Sequence, residues 1–197
     1  MEKIKQKFEE HKSKPSDINE HLETIYNLSK ECSHITEMGV RWVSSTWPML
    51  LSNPEKMISY DIVTHPQVKE CVDLAKEYNL NYQFIETDVL KIEIEPTEFL
   101  FIDTLHTYNQ LISELNLHSK KVSKYIALHD TTHFGRIDEQ IYAHASDEIK
   151  TKSKSKQGLM TAVEDFVASE NGKSWEIFKI YQNNNGLTVL KNKSYEK

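Results

Sequence analysis

The sequence predicts an α/β fold in which helices cover both faces of a mostly parallel sheet that ends in an antiparallel hairpin. In the first 130 residues, short apolar runs alternate with amphipathic segments, a pattern typical of parallel strands joined by helices. The last two apolar runs instead flank the sequence NNNG at 183–186, which predicts a tight hairpin turn. A chain of 197 residues can bury a full core, and we predict one domain without internal repeats.

The N-terminal part of the chain predicts two helices. Residues 1–14 are charged throughout and predict a helical tail ahead of the domain, which we place at 15–197. Pro15, Ser16 and Asp17 are residue types that begin helices. The following residues have the helical spacing of an apolar stripe, formed by Ile18, Leu22, Ile25, Tyr26 and Leu28.

The central segments predict the strands and helices of the sheet in turn. The predicted strands are 34–39, 56–63, 82–89, 97–105 and 124–131. The predicted helices between and after them are 44–51, 65–80, 109–122 and 159–171. Ser44 or Ser45 would cap the first of these helices, because a hydroxyl can accept a hydrogen bond from a free backbone N–H there. The fourth strand, TEFLFIDTL, is apolar enough to be buried on both faces.

Residues 131–158 interrupt the alternation of strands and helices. This stretch is polar, and its KTKSKSKQ tract at 150–157 predicts an exposed loop. We interpret 131–158 as an insertion that lies over the end of the sheet, where it could serve as a lid.

Composition and charge exclude several classes of protein. The net charge is −6, and an acidic domain with scattered lysines is a poor general nucleic-acid binder. Cys32 and Cys71 form no CxxC pair and are expected to be reduced. No apolar run has the roughly 18 residues that span a bilayer, and the N-terminus has no apolar signal segment. We therefore expect a cytoplasmic protein without membrane contact, and a homo-oligomer is left open.

Polar side chains follow every predicted strand. In an open α/β sheet, ligands bind beyond the carboxyl ends of the strands, so these side chains mark a candidate site. They are Glu37, Gly39, Arg41, Ser44, Ser45 and Thr46 after the first strand, then Asp61, Thr87, Asp88, Asp103, His106, His129, Asp130 and His133. Like charges crowded at one edge repel one another, which a purely structural protein has no reason to maintain.

Several of these residues allow two interpretations. Asp61 could cap a helix, or it could accept hydrogen bonds from both hydroxyls of a ribose. Asp103 ends a very apolar strand, so its carboxylate needs a partner: a cation, a metal ion or a cofactor amine. His106 could be an ordinary turn residue, and His129 could bond the backbone where the fifth strand ends; alternatively, either could be a general base.

A divalent metal ion is a further interpretation of the same acids. Asp103 and Asp130 would supply oxygen ligands, and His129 or His133 a nitrogen ligand. A zinc site is less expected, because no cysteine cluster and no HExxH pattern is present.

The motifs EMGVRWVSST, ETDV, FIDTLHTY and ALHDTT, with Asp61 and the closing hairpin, give the chain a family resemblance. It resembles the class I S-adenosylmethionine-dependent methyltransferases over residues 17–192, and most of all their small-molecule and sugar O-methyltransferase-like branch, which includes cephalosporin-hydroxylase-like proteins. The resemblance implies a Rossmann-like methyltransferase fold with seven strands. It also implies O-methylation of a small hydroxylated acceptor such as a sugar or a nucleotide-sugar.

The resemblance also implies roles for individual residues. The cofactor S-adenosylmethionine would be bound by Glu37, Met38, Gly39, Val40, Arg41, Ser45, Thr46, Asp61, Ile62, Asp88, Val89 and Asp103. Facing the acceptor would be the catalytic residues His106, His129 and Asp130. In metal-dependent members of the family, acids at the ends of the fourth and fifth strands hold magnesium, and Asp103 and Asp130 match those positions.

One position departs from the family pattern. The spacing ExGxxxGxST places a second glycine at position 43, where this chain has Val43. Because valine strongly disfavours positive φ, we expect the turn to stay in ordinary backbone space.

Two alternatives to an active methyltransferase remain open. A methyltransferase-like binding module without activity would account for the missing glycine. An NAD-dependent oxidoreductase would also have an acid after the second strand, but its GxGxxG sequence is absent.

Overall fold

A computed structural model describes residues 1–143, 145–152 and 155–196. Its strands are β1 His34–Met38, β2 Lys56–Asp61, β3 Tyr82–Glu86, β4 Thr97–Ile102, β5 Val122–His129, β6 Trp175–Tyr181 and β7 Leu187–Asn192. Its helices are α1 Glu2–Ser13, α2 Leu22–Ser29, α3 Thr46–Leu51, α4 Val68–Glu77, α5 Tyr108–His118, α6 Asp147–Thr151 and α7 Leu159–Ala168. The predicted strands and helices therefore all occur, with ends that differ by a few residues.

The strands form one seven-stranded sheet in the order β3-β2-β1-β4-β5-β7-β6. The first five strands are parallel to one another, and β7 pairs antiparallel with both β5 and β6. The predicted fold class is confirmed. Successive strands are added to one side of β1 as far as β3 and then to its other side from β4 onward. At such a switch in strand order, the carboxyl ends of the two neighbouring strands, here β1 and β4, leave a crevice in which a ligand can bind.

Apolar side chains fill both sides of the sheet. Phe99 and Phe101 face a core that α1 to α4 cover, whereas Leu100 and Ile102 face a second core beneath α5 and α7. The alternation confirms that β4 is buried on both faces, as its uninterrupted apolar run predicts.

The predicted N-terminal tail is a helix that packs onto the domain. Ile4 and Phe8 of α1 are buried in the core against α3. In the described part of the polar segment 131–158 there is one short helix, α6, that the sequence pattern does not predict. Within the predicted loop at 150–157, residues 153 and 154 lie outside the described part of the chain. None of the helices in the described ranges is long and apolar enough to cross a membrane.

The turn between β6 and β7 joins distant parts of the chain. The side chain of Asn184 accepts a hydrogen bond from the backbone N–H of Glu20 (2.7 Å) and donates one to the carbonyl of Ser16 (2.7 Å). The carbonyl of Asn185 accepts from the N–H groups of Thr132 (2.8 Å) and His133 (2.9 Å). The NNNG turn thus connects the segment before α2 with the loop after β5.

Candidate functional site

A cavity of about 420 Å³ opens at the carboxyl ends of the parallel strands. Its volume lies within the range of about 300–1,000 Å³ that is usual for small-molecule sites. The residues that line it are Asp17, Gly39, Val40, Arg41, Tyr60, Asp61, Ile62, His65, Thr87, Asp88, Val89, Asp103, Thr104, Leu105, His106, Gln110, Asp130, Glu139, Tyr142, Ala145 and Ser146.

The turn after β1 brings its backbone to the cavity. Gly39 has φ +84°, and a Cβ atom there would lie 1.9 Å from the carbonyl oxygen of Asp103. Only glycine fits, because it has no side chain and tolerates positive φ. The turn therefore crosses directly over the end of β4.

Val43 contradicts the expectation that this turn stays in ordinary backbone space. Its φ is 59°, and Arg41 is also left-handed at 38°. Two hydrogen bonds hold the conformation: the Val43 N–H donates to the carbonyl of Val40 (2.7 Å), and the Val43 carbonyl accepts from Trp47 (3.3 Å). The Val43 side chain is also buried in the core. Tertiary packing and these bonds override the local preference of valine.

Asp61 holds the same turn from the end of β2. Its Oδ2 accepts hydrogen bonds from the N–H groups of Val40 (2.8 Å) and Arg41 (3.2 Å), and its Oδ1 accepts from Val63 (3.1 Å). A carboxylate has about four acceptor sites, so one position on Oδ1 remains. Asp61 can therefore accept a hydrogen bond from one ribose hydroxyl rather than from both.

Glu37 lies behind the turn instead of in the cavity. Its carboxylate accepts hydrogen bonds from Ser45 Oγ (2.6 Å), Thr46 Oγ1 (2.9 Å) and Ser59 Oγ (2.6 Å). Burial raises the pKa of Glu37 to about 7, although the three hydroxyls oppose that shift. Met38 is buried in the second core. Four predicted cofactor residues, Glu37, Met38, Ser45 and Thr46, therefore shape the turn from beneath and do not line the cavity.

The lining of the cavity includes a histidine among carboxylates. The Nε2 atom of His106 lies 3.1 Å from Asp103 Oδ1 and 3.0 Å from Asp130 Oδ2, and its Nδ1 lies 2.9 Å from Glu139 Oε2. Burial lowers the pKa of His106, but the three carboxylates outweigh it and raise that pKa to about 12. The carboxylates therefore favour the protonated form of His106, which opposes the general-base role that the sequence suggests.

His129 lies below these carboxylates and does not line the cavity. It is 2% exposed, and its Nδ1 is 3.6 Å from Asp103 Oδ2 and 3.4 Å from Asp130 Oδ2. Burial lowers the pKa of His129, but Asp103 and Asp130 raise it to about 10. The second predicted base is thus also a cation near neutral pH.

Asp130 reaches the cavity from the end of β5 in a left-handed conformation, with φ 59°. Its Oδ1 atom is buried and has no hydrogen-bond partner among the described residues. Both histidines hold the pKa of Asp130 well below its ordinary value, although burial acts in the opposite direction. The same imidazole rings hold the pKa of Asp103 low. Both acids are therefore ionised at the base of the cavity.

The structure brings most of the predicted site residues together. Gly39, Val40, Arg41, Asp61, Ile62, Asp88, Val89, Asp103, His106 and Asp130 all line the cavity. His133, the alternative metal ligand, is exposed and does not line it.

Several cavity residues escape the sequence reasoning, among them Gln110, Glu139 and Tyr142. Glu139 and Tyr142 lie in the polar segment 131–158, and Gln110 lies on α5. Glu139 is anchored by its backbone N–H, which donates to the carbonyl of His106 (2.9 Å). An acid within a polar insertion has no distinguishing pattern, and only the fold places it beside His106.

The predicted metal ligands Asp103 and Asp130 lie close to His129. Their ligand atoms and one from His129 are all within 4.8 Å of one another. However, an oxygen of each carboxylate already lies within hydrogen-bond distance of His106 Nε2. An ion that bound both acids would compete with a protonated ring that is already in place.

No protein-family model and no curated protein sequence matches the chain. In structure it resembles the N-methyltransferase NodS from Bradyrhizobium japonicum in complex with S-adenosyl-L-homocysteine, with a TM-score of 0.59, 12% identity and coverage of 96% of this chain and 98% of that one. It also resembles a methyltransferase from Podospora anserina bound to S-adenosylhomocysteine, with a TM-score of 0.59, 11% identity and coverage of 96% and 87%.

A ribosomal RNA methylase from Escherichia coli has a similar fold as well. Its TM-score is 0.55 at 10% identity, with coverage of 89% of this chain and 65% of that one. At such low identity the similarity establishes the fold, while the acceptors of these proteins differ. The chain therefore has the Rossmann-like fold that S-adenosylmethionine-dependent methyltransferases share.

Proposed function

We propose that this protein is an S-adenosylmethionine-dependent methyltransferase that methylates a hydroxyl of a small acceptor such as a sugar or a nucleotide-sugar. The observation that carries the proposal is the charge of the cavity. Among the residues that the structure describes, six carboxylates line it, from Asp17, Asp61, Asp88, Asp103, Asp130 and Glu139, against the single permanent cation of Arg41.

This charge distribution discriminates between the candidate cofactors. S-adenosylmethionine has a positively charged sulfonium and an ammonium group, which carboxylates attract. NAD carries a negatively charged diphosphate, which the same carboxylates repel. The acidic lining therefore supports the methyl donor and argues against the oxidoreductase alternative.

The cavity has a suitable residue for each part of the donor. Ile62 and Val89 offer apolar surface for the adenine. Asp88, next to Val89, could accept a hydrogen bond from the amine of the adenine. The free position on Asp61 Oδ1 suits one ribose hydroxyl. Asp103 faces the cavity where β4 ends, and it would bind the ammonium group of the methionine part.

When bound, the donor supplies an electrophilic methyl group on a positively charged sulfur. The task of the chain is to bring the acceptor oxygen in line with that methyl group and to exclude water. Asp130 lines the cavity, and its carboxylate would hold the acceptor hydroxyl and accept the proton that the oxygen loses. His106 and His129 would keep Asp103 and Asp130 in position.

One observation favours a second candidate, a binding module without activity. Both histidines that the sequence offers as bases are protonated near neutral pH, and ionised Asp130 is a weak base because its pKa is lowered. Such a module would bind the donor and transfer nothing, so binding and turnover must be measured separately.

Isothermal titration calorimetry with S-adenosylmethionine, S-adenosylhomocysteine and NAD tests the proposal. We expect binding of the first two and none of NAD. Asp88→Asn should weaken binding of the donor, whereas Asp73→Asn, on the exposed surface of α4, should not. Absence of heat with S-adenosylmethionine would refute the proposal. Binding without methyl transfer to any sugar or nucleotide-sugar acceptor would favour the binding module.

A further inference from the structure

A stripe of polar side chains lies on the buried face of α5. Gln110, Glu114 and His118 are spaced four residues apart, so successive turns of the helix place them on one face. All three are buried, and Glu114 and His118 are fully so. Burying a polar side chain costs free energy, and the neighbouring buried positions of α5 are occupied by Leu111 and Leu115 instead. The polar stripe therefore indicates a requirement other than packing.

The stripe lies on the side of the cavity that is proposed for the adenine. The Nε2 atom of His118 donates a hydrogen bond to the carbonyl of Val89 (3.0 Å), and both Val89 and Asp88 line the cavity. Burial raises the pKa of Glu114 to about 7, against the hydrogen bonds that its carboxylate accepts, and the charge of Asp88 adds to that rise. Asp88 and Glu114 are therefore near neighbours.

Glu114 determines which atom of the Gln110 amide faces the cavity. Its Oε1 atom accepts hydrogen bonds from Gln110 Nε2 and from Thr104 Oγ1, each at 2.7 Å. Its Oε2 atom is buried without a partner among the described residues, so Oε2 would hold a proton and Oε1 accepts in either protonation state. The amide nitrogen of Gln110 must therefore point to Glu114. This leaves the amide oxygen for the cavity, which Gln110 lines.

We propose that Gln110 accepts a hydrogen bond from the adenine amine of the methyl donor, and that Glu114 is the positioning residue that directs the amide oxygen of Gln110 into the cavity. The amine has two hydrogen atoms, of which Asp88 accepts one and Gln110 Oε1 the other. A 6-oxo purine has an oxygen at this position, which would face two acceptors and leave all of them unpaired. The inference rests on the proposed methyl donor, and it adds a residue that selects the base of that donor.

Calorimetric titration with S-adenosylhomocysteine and with its 6-oxo counterpart, S-inosylhomocysteine, tests this selectivity. We expect the wild-type protein to bind the adenine compound at least about tenfold more tightly. Gln110→Leu and Gln110→Met should weaken binding of S-adenosylhomocysteine by about five- to tenfold without weakening that of S-inosylhomocysteine, so the ratio of the two affinities should fall. The matched control is Gln6→Leu on the exposed surface of α1, which should keep the wild-type ratio.

Substitutions of Glu114 separate orientation of the amide from packing. Glu114→Gln keeps an oxygen that accepts from Gln110 and Thr104, so its affinity ratio should remain that of wild type. Glu114→Leu removes the acceptor and frees the amide of Gln110 to turn, so the ratio should fall as it does in Gln110→Leu. A merely structural role of Glu114 would change the melting temperature of Glu114→Leu and leave the ratio unchanged.

Two results would overturn the inference. One is a wild-type protein that binds both compounds equally well. The other is an unchanged ratio in soluble Gln110→Leu and Gln110→Met proteins. If these two variants are insoluble, the ratio in Glu114→Leu decides instead.

Adenosine and inosine, which lack the methionine part, distinguish this inference from the proposed function. A preference for adenosine that depends on Gln110, in a protein that does not bind S-adenosylmethionine, would support the inference and refute the methyltransferase. Binding of S-adenosylmethionine with an affinity ratio that ignores Gln110 would refute the inference and leave the methyltransferase standing. Absence of binding by all of these compounds would refute both.

Discussion

Shortening Val43 in two steps tests the left-handed backbone of the turn after β1. Val43 is 2% exposed at φ 59°. Val43→Ala removes two buried methyl groups, at about 0.8 kcal/mol each plus a cavity term, for a loss of about 2 kcal/mol. Val43→Gly removes three carbons and adds backbone freedom, a loss of about 3 kcal/mol. The same substitution also restores about 1–2 kcal/mol of stability, because glycine adopts positive φ without the strain that valine and alanine have there. The two variants should therefore be about equally stable.

Urea denaturation followed by far-ultraviolet circular dichroism measures the free energy of unfolding of both variants. The matched control is Val163, which is fully buried in the middle of α7 at an ordinary helical φ. There, glycine should be less stable than alanine by about 2 kcal/mol, from helix propensity and one more lost methyl group. If Val43→Gly were also about 2 kcal/mol less stable than Val43→Ala, Val43 would not be left-handed and the description of the turn would be wrong.

Three further predictions concern the same turn. Gly39→Ala should destabilise the fold by more than about 2 kcal/mol in urea denaturation, because its Cβ would overlap the carbonyl oxygen of Asp103; an unchanged midpoint would contradict the close crossing. Glu37→Gln tests the raised pKa of Glu37: the folded state retains a proton up to about pH 7 that the unfolded state loses near the ordinary pKa of 4.5, so wild-type stability falls as pH rises through this window. Between about pH 4.5 and 8, the free energy of unfolding of Glu37→Gln should fall by about 3 kcal/mol less than that of wild type. If the two proteins gave parallel curves of stability against pH, Glu37 would be ionised already at low pH in the folded state. Val43→Gly should bind S-adenosylmethionine as tightly as wild type or more tightly in calorimetry, since glycine adopts the positive φ of this turn without strain; a large loss of affinity would show that the valine side chain itself maintains the turn for binding.

The sequence pattern predicts the sheet well because the pattern and the fold share one cause. A strand in the centre of a parallel sheet has no solvent-facing side, so β4 must be apolar at successive positions. The Asn-Gly pair at 185–186 adopts positive φ at both residues, which few other pairs tolerate. Such requirements are local, and they can be recognised without coordinates.

The site is predicted less well because its properties depend on distant neighbours. Burial and three hydroxyls set the environment of Glu37, and one of these hydroxyls, Ser59, lies on another strand. The charge of His106 depends on Glu139, which is 33 residues away in a segment without a motif. The conformation of Val43 depends on core packing that overrides its own preference. Single-residue propensities contain none of this information.

The NNNG turn has a consequence for the order in which the protein folds. Its hydrogen bonds join two pairs of residues that are separated in the chain by 164 and by 168 positions. Contacts between such distant residues form late, because a long loop must close first. The loop that follows Asp130 is bound to the same turn through Asn185. During synthesis, therefore, the parallel strands can assemble while the cavity still lacks a fixed wall. Pulse-labelling hydrogen exchange during refolding should show β1 and β4 protected before the N–H groups of Glu20, Thr132 and His133, so that the site becomes ordered in the last step of folding.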